Sequence, residues 1–132
     1  MSINSIVIID YHTGNVGSIV NMIKKVGYEP VISDKTEVIS KAKKLILPGI
    51  GSFDKGVTSI TELGLWEVIK SCVIQKKIPI LGICLGAQLF TRKSEEGKLD
   101  GFGFVNAYTK KFNSLNNFLK VPHMGWNTVK IY

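Results

Sequence analysis

Ile78-Pro79-Ile80-Leu81-Gly82-Ile83-Cys84-Leu85-Gly86-Ala87-Gln88 is the stretch that decides the fold. An apolar run of strand length stops at Gly-x-Cys-x-Gly, and helix-forming residues follow. This is the pattern of a nucleophile elbow, in which a reactive side chain is held on a tight strand-to-helix turn. The flanking glycines are expected because the turn brings the backbone against the neighbouring strand and helix, where a Cβ would clash. Cys84 is expected at a helix N-terminus, where the macrodipole and free N–H groups favour an anion. A buried cysteine at a strand–turn–helix joint writes the same five residues, so the rest of the chain must choose between the two.

Outward from the elbow, strands and helices alternate. Residues 5–10 form a continuous β-branched run, as a central parallel strand covered on both faces requires. Tyr11-His12-Thr13-Gly14-Asn15 reads as a turn. Val16, Ile19, Val20, Ile23 and Val26 then recur at helical spacing until Gly27 stops the helix. A second strand is expected near residues 29–33, a short helix near 38–42 and a third strand at 44–47. Pro48-Gly49-Ile50-Gly51-Ser52-Phe53 is a loop at the end of that third strand. Helical segments at 55–63 and 65–75 lead into the elbow strand. Beyond the elbow, residues 94–100 read as polar loop, and 103–112 and 124–131 as strands separated by an Asn-rich bend at 113–117. The sum is an α/β fold: an open, mostly parallel, flavodoxin-like sheet with helices on both faces and an antiparallel segment at the C-terminal end. Ligands of such sheets bind beyond the carboxyl ends of the strands, where the elbow and the 48–53 loop both fall.

Composition narrows the function. The chain has 132 residues and 45% hydrophobic content, enough for one packed domain and far from a disordered sequence. No apolar run approaches the ~20 residues of a membrane span, and the first residues lack the basic region of a secretory signal. The formal net charge is +7, carried by scattered lysines with Arg92 as the single arginine. Nucleic-acid surfaces mix arginine with aromatics, so this pattern argues against one. It fits a basic rim facing an acidic partner or an anionic substrate. Two cysteines, Cys72 and Cys84, make no disulfide framework, and a nucleophilic thiol needs a reducing compartment, so the cytoplasm is expected. No cofactor and no metal is called for.

Acyl transfer needs a nucleophile, an oxyanion hole and a base. Cys84 supplies the first. The amide of Leu85, next after the nucleophile, is the natural first donor of the hole, and the glycine-rich loop Gly49, Ile50, Gly51 is placed to give a second. On its own that loop is also an ordinary strand-to-helix turn.

Together, residues 48–53, 82–88 and Ser94-Glu95-Glu96-Gly97 resemble the class I (triad) glutamine amidotransferases. Val121-Pro122-His123-Met124-Gly125-Trp126-Asn127 is narrower, and with Asp10-Tyr11 and Gly14-Asn15 it is similar to the glutaminase subfamily of imidazole glycerol phosphate synthases. The resemblance implies that Cys84 attacks the side-chain amide of glutamine, releasing ammonia and leaving a γ-glutamyl thioester. It implies that Gly49, Ile50, Gly51 and Leu85 line the oxyanion hole and that Gln88 and Glu96 hold the amino-acid end of the substrate. Asn15, His123, Met124, Trp126 and Asn127 are implied to face a (β/α)8-barrel cyclase in a heterodimer that makes imidazole glycerol phosphate and AICAR in histidine biosynthesis.

Three departures stand out: Ala87, where a larger apolar residue is usual; His12, foreign to that turn; and the absence of the family's His-x-Glu pair. Residues 1–132 are therefore expected to be a single amidotransferase domain, C-terminally incomplete, whose catalytic histidine and glutamate lie beyond Tyr132. The alternatives are a paralogue feeding ammonia to another synthase, for example in sugar amidation, and a non-catalytic docking module.

Overall fold

The computed structural model describes residues 5–113 and 120–132. Four parallel strands form the main sheet in the order β2-β1-β3-β4. They are β1 Ile6–Ile9, β2 Pro30–Ser33, β3 Lys44–Leu47 and β4 Ile80–Gly82. β1 is central, pairing Val7 with Val31 on one side and with Leu45 on the other, and β3 in turn pairs Ile46 with Leu81 of β4.

The helices cover both faces, as the sequence predicts. Side chains alternate across a strand, so Ile8 and Ile46 point to one face and Val7, Ile9, Leu45 and Leu47 to the other. The first face is covered by α1 (Val16–Lys25) through Ile23, with Val16, Ile19 and Val20 packed alongside. The second carries the larger core, to which α2 (Thr36–Ile39), α3 (Phe53–Glu62), α4 (Trp66–Lys70) and α5 (Leu85–Gln88) all contribute. α4 runs on as a π-helical turn, Ser71–Gln75, so the expected long helix is present but changes pitch halfway. Trp66, Phe102 and Phe104 stack in series, with ring centroids 3.9 and 4.8 Å apart, and so tie the chain after the elbow to α4.

The antiparallel C-terminal segment is not found. The only further strand pair among the described residues, β5 (Lys93–Ser94) with β6 (Tyr108–Thr109), is parallel. Of the strand expected over 103–112 only β6 forms, and residues 124–131 form none. Among the described residues no neighbouring strand offers ladder partners there, and a strand without a partner has nothing to stabilise it. The Asn-rich bend lies, past Asn113, outside the described residues.

The order β2-β1-β3 means that the chain leaves β1 toward one side of the sheet and returns on the other. The crevice between the carboxyl ends of β1 and β3 is therefore a topological switch point. Tyr11 lies two residues beyond one of those strands and Pro48 follows the other. No helix among the described residues is long and apolar enough to cross a membrane.

Candidate active site

Cys84 sits on the turn between β4 and α5 with φ +53° and ψ −116°, one of three non-glycine residues at positive φ among the described residues. Such a conformation costs on the order of 1–3 kcal/mol and persists only where the surroundings enforce it. The enforcement is visible. Ile83 donates its N–H to the Leu47 carbonyl at 3.0 Å, so the strand ladder runs to the residue before the turn. A Cβ on Gly86 would overlap the Leu47 carbonyl, and one on Gly82 would lie 2.6 Å from Ala87 Cα. Both glycines are therefore demanded by close approach, as the sequence predicts. Cys84 is exposed, whereas Cys72 is fully buried, donates to the Ile39 carbonyl at 3.6 Å, and has its thiol pKa pushed up by burial.

The helix that follows is a single turn, Leu85–Gln88, which shortens the expected macrodipole to a few peptides. Its N–H groups are also spent. Leu85 donates to Gly49 O at 3.3 Å, Gly86 to Ile83 O at 3.0 Å, and Ala87 and Gln88 to Cys84 O at 3.0 and 3.1 Å. The amide expected to donate to an oxyanion thus points to the 48–51 loop, where that loop's own Gly49 carbonyl occupies it.

The loop itself is braced from beneath. The buried Tyr11 hydroxyl donates to the Pro48 carbonyl at 2.5 Å, and a Cβ on Gly49 would collide with the same hydroxyl. Burial raises the Tyr11 pKa, and the nearby Cys84 adds to the rise. Gly14 packs on the other side, with its missing Cβ 3.4 Å from Gly49 N. Above this brace Ile50 is exposed and Gly51 adopts φ +96°. In the sequence Tyr11 stands only as part of the Asp10-Tyr11 motif, with no role of its own. The signal for it is an aromatic residue just past a buried apolar strand, which is drawn into the core with a hydroxyl that must find a partner.

Gln88 and Glu96, both expected to hold substrate, line one cavity of about 540 Å³ together with Ser94, Thr109, Lys110 and Lys111. Gln88 is one helical turn from Cys84, about 5.4 Å of rise. Glu96 is held toward the elbow side by its own hydrogen bond. Ser52 makes no side-chain cap to α3; instead Glu96 Oε2 accepts the first N–H of that helix, from Phe53, at 3.1 Å. The cavity thus presents carboxylate, amide and ammonium groups together, as recognition of a zwitterionic amino acid requires.

The residues expected at a partner surface lie apart from this cavity. Asn15 is exposed and caps α1, its Oδ1 accepting from Ser18 N at 3.3 Å. His123, Met124, Trp126 and Asn127 are all exposed in the segment 120–132. Neither histidine bonds to Cys84 among the described residues: His12 has φ +63° and donates its backbone N–H to Asp10, and His123 stands in the exposed segment.

Residues 7–129 match the protein family described as Glutamine amidotransferase class-I. The chain is 59% identical over 125 residues to imidazole glycerol phosphate synthase subunit HisH 2 of Methanococcus maripaludis, covering 95% of this chain and 61% of that one. It is 44% identical over 124 residues to the HisH 2 subunit of Pseudomonas aeruginosa, covering 94% and 61%. With the HisH subunit of Synechocystis it shares 45% over 122 residues, covering 92% and 57%. A solved structure described as a glutamine amidotransferase superposes with TM-score 0.69 at 21% identity, covering 80% of this chain and 56% of that one, and so shares its fold. The chain spans about three-fifths of the length of these curated relatives.

Proposed function

We propose that this chain, which belongs to the class-I glutamine amidotransferase family, carries the nucleophile and substrate pocket of a glutaminase that feeds ammonia to an imidazole glycerol phosphate synthase. The observation that carries the reading is Cys84 held at φ +53° on the β4–α5 turn, one helical turn from the cavity that Gln88 and Glu96 line. In the reaction, Cys84 Sγ adds to the side-chain carbonyl carbon of glutamine. The tetrahedral oxyanion collapses, the C–N bond breaks, and ammonia leaves with a proton delivered by a general acid. Water then cleaves the γ-glutamyl thioester to glutamate and regenerates the thiol.

For Leu85 to stabilise the oxyanion, its N–H must exchange the Gly49 carbonyl for the substrate oxygen. The exposed Ile50–Gly51 end of the loop is the part free to turn, while Tyr11 holds Pro48. Glu96 serves the α-ammonium and Gln88 the remaining polar end. The base is left to a His-x-Glu pair outside residues 1–132, in the length by which the relatives exceed this chain. Asn15, His123, Met124, Trp126 and Asn127 face the partner, a (β/α)8-barrel cyclase in a heterodimer that makes imidazole glycerol phosphate and AICAR in histidine biosynthesis. A nucleophilic free thiol fits a reducing compartment such as the cytoplasm.

The test is ammonia transfer in the complex of the cyclase with the chain lengthened through its His-x-Glu pair, the form in which turnover and glutamine binding are measured throughout. Glutamine-dependent formation of imidazole glycerol phosphate, lost in Cys84→Ala and restored by free ammonium salts, is the expected result. A Cys84→Ala complex that still uses glutamine would overturn the proposal.

A further inference from the structure

Glu96 and Asp54 exchange hydrogen bonds across the gap between the 94–99 loop and α3. The loop's carboxylate, Glu96, accepts the helix N–H of Phe53 at 3.1 Å. The helix's carboxylate, Asp54, accepts two loop N–H groups in return: Lys98 at 2.9 Å to Oδ2 and 3.0 Å to Oδ1, and Leu99 at 3.0 Å to Oδ1. Gly97 lies between them, and a Cβ there would overlap the Asp54 carboxylate, so the approach is as close as the backbone allows. Ser94 Oγ accepts the Glu96 N–H at 3.1 Å and closes the turn from within. The donors around Asp54 also hold its pKa low, first Lys98 N–H and then Leu99 N–H. Bonds from N–H groups to a carboxylate are the strong class of hydrogen bond and fix direction as well as distance.

The placement of this clamp matters. α3 begins immediately after the 48–52 loop that approaches the elbow, and the 94–99 loop carries the carboxylate that lines the substrate cavity. We infer that Asp54 is a positioning residue for the amino-acid end of glutamine, locking the Glu96 loop to the first turn of α3 so that the Glu96 carboxylate keeps its place in the substrate cavity. The inference rests on the glutaminase reading and adds to it a residue that never touches substrate. An ordinary first-turn acid would instead complement the helix dipole from the surface, with no consequence for the loop.

Glutamine binding to the Cys84→Ala form of the complex, followed by calorimetry, separates the two. Asp54→Ala is expected to raise the Kd for glutamine by about tenfold, the equivalent of one positioning hydrogen bond. In the otherwise wild-type complex it should raise KM with kcat changed far less. Hydrogen exchange at the Lys98 and Leu99 amides should accelerate in step, which a dipole effect on α3 would not produce. If Asp54→Ala fails to fold, Asp54→Asn, which keeps one acceptor oxygen, carries the same comparison with a smaller loss. Glutamine binding and amide exchange both unchanged by substitution would overturn the clamp while leaving the glutaminase reading intact. A Cys84→Ala complex that binds no glutamine would overturn both.

Discussion

Cys84 and Cys72 show how the surroundings, and not the residue type, decide reactivity. One thiol is exposed on a backbone conformation its neighbours impose; the other is sealed among Ile39, Ile69 and the rest of the main core, where it behaves as a small hydrophobe. An electrophilic glutamine analogue is therefore expected to label Cys84 alone in the folded protein, as read by mass spectrometry of peptides, and equal labelling of both would refute the elbow. Tyr11 is the second residue whose removal is informative. Tyr11→Phe deletes only the hydroxyl and leaves the buried Pro48 carbonyl without its donor, a loss of about 1–3 kcal/mol of stability by urea unfolding. Because the freed peptide begins the 48–51 loop, turnover in the complex should fall as well. Unchanged turnover would mean that the brace serves the fold alone.

Elements were legible in the sequence to the extent that their signals are local or imposed by burial. The β-branched run over 5–10, the 3.6-residue spacing of α1 and the glycines of the elbow each follow from sterics within a few residues, and each is found where expected. The stretches 103–112 and 124–131 also read as strands, yet their state depends on whether another strand lies alongside, which no local pattern encodes. The Asp54–Glu96 exchange spans more than forty residues and was invisible for the same reason. Asn15 shows a subtler limit, since the cap it forms and the partner contact proposed for it fall on one residue. Asn15→Ala should destabilise α1 by about 1 kcal/mol through loss of its cap. Asn15→Ser, which can still cap, should restore stability but not affinity for the cyclase, so thermal melting and binding measured together separate the roles. Asp54 adds a pH signature. Its carboxylate is held below its unfolded-state pKa, so the stability it contributes is fully present above that value, about 3.9, and is lost as pH falls toward the folded-state pKa. The stability difference between the wild type and Asp54→Asn should thus be constant from neutral pH down to about 5 and shrink below 4.

At the scale of the molecule the two faces of the sheet are unequal. The face packed by α2–α5 is closed by large buried side chains, while the other has only α1, and an apolar groove runs between α1 and β4. Met22, Val26 and Leu81, all more than half exposed, line it with Ile19, Ile23 and Ile83. A continuous apolar surface of this kind marks a place that another part of a protein covers. The proposed site has the same asymmetry: Gln88 and Glu96 line one cavity, the exposed Cys84 lies one helical turn from Gln88, and neither histidine bonds to that thiol among the described residues. Proton transfer by a positioned base is worth ~10²–10⁴-fold in rate, and both the departure of ammonia and the attack of water depend on it. A polypeptide of residues 1–132 is accordingly expected to show no measurable glutamine hydrolysis, alone or with the cyclase, and to bind a fluorescent apolar dye through the α1–β4 groove. A polypeptide lengthened through a His-x-Glu pair to the size of the relatives should hydrolyse glutamine and bind less dye, because one added stretch of chain supplies the base and covers the groove. Rapid hydrolysis by residues 1–132, abolished by His123→Ala, would show instead that the exposed 120–132 segment folds back to place its own histidine beside Cys84.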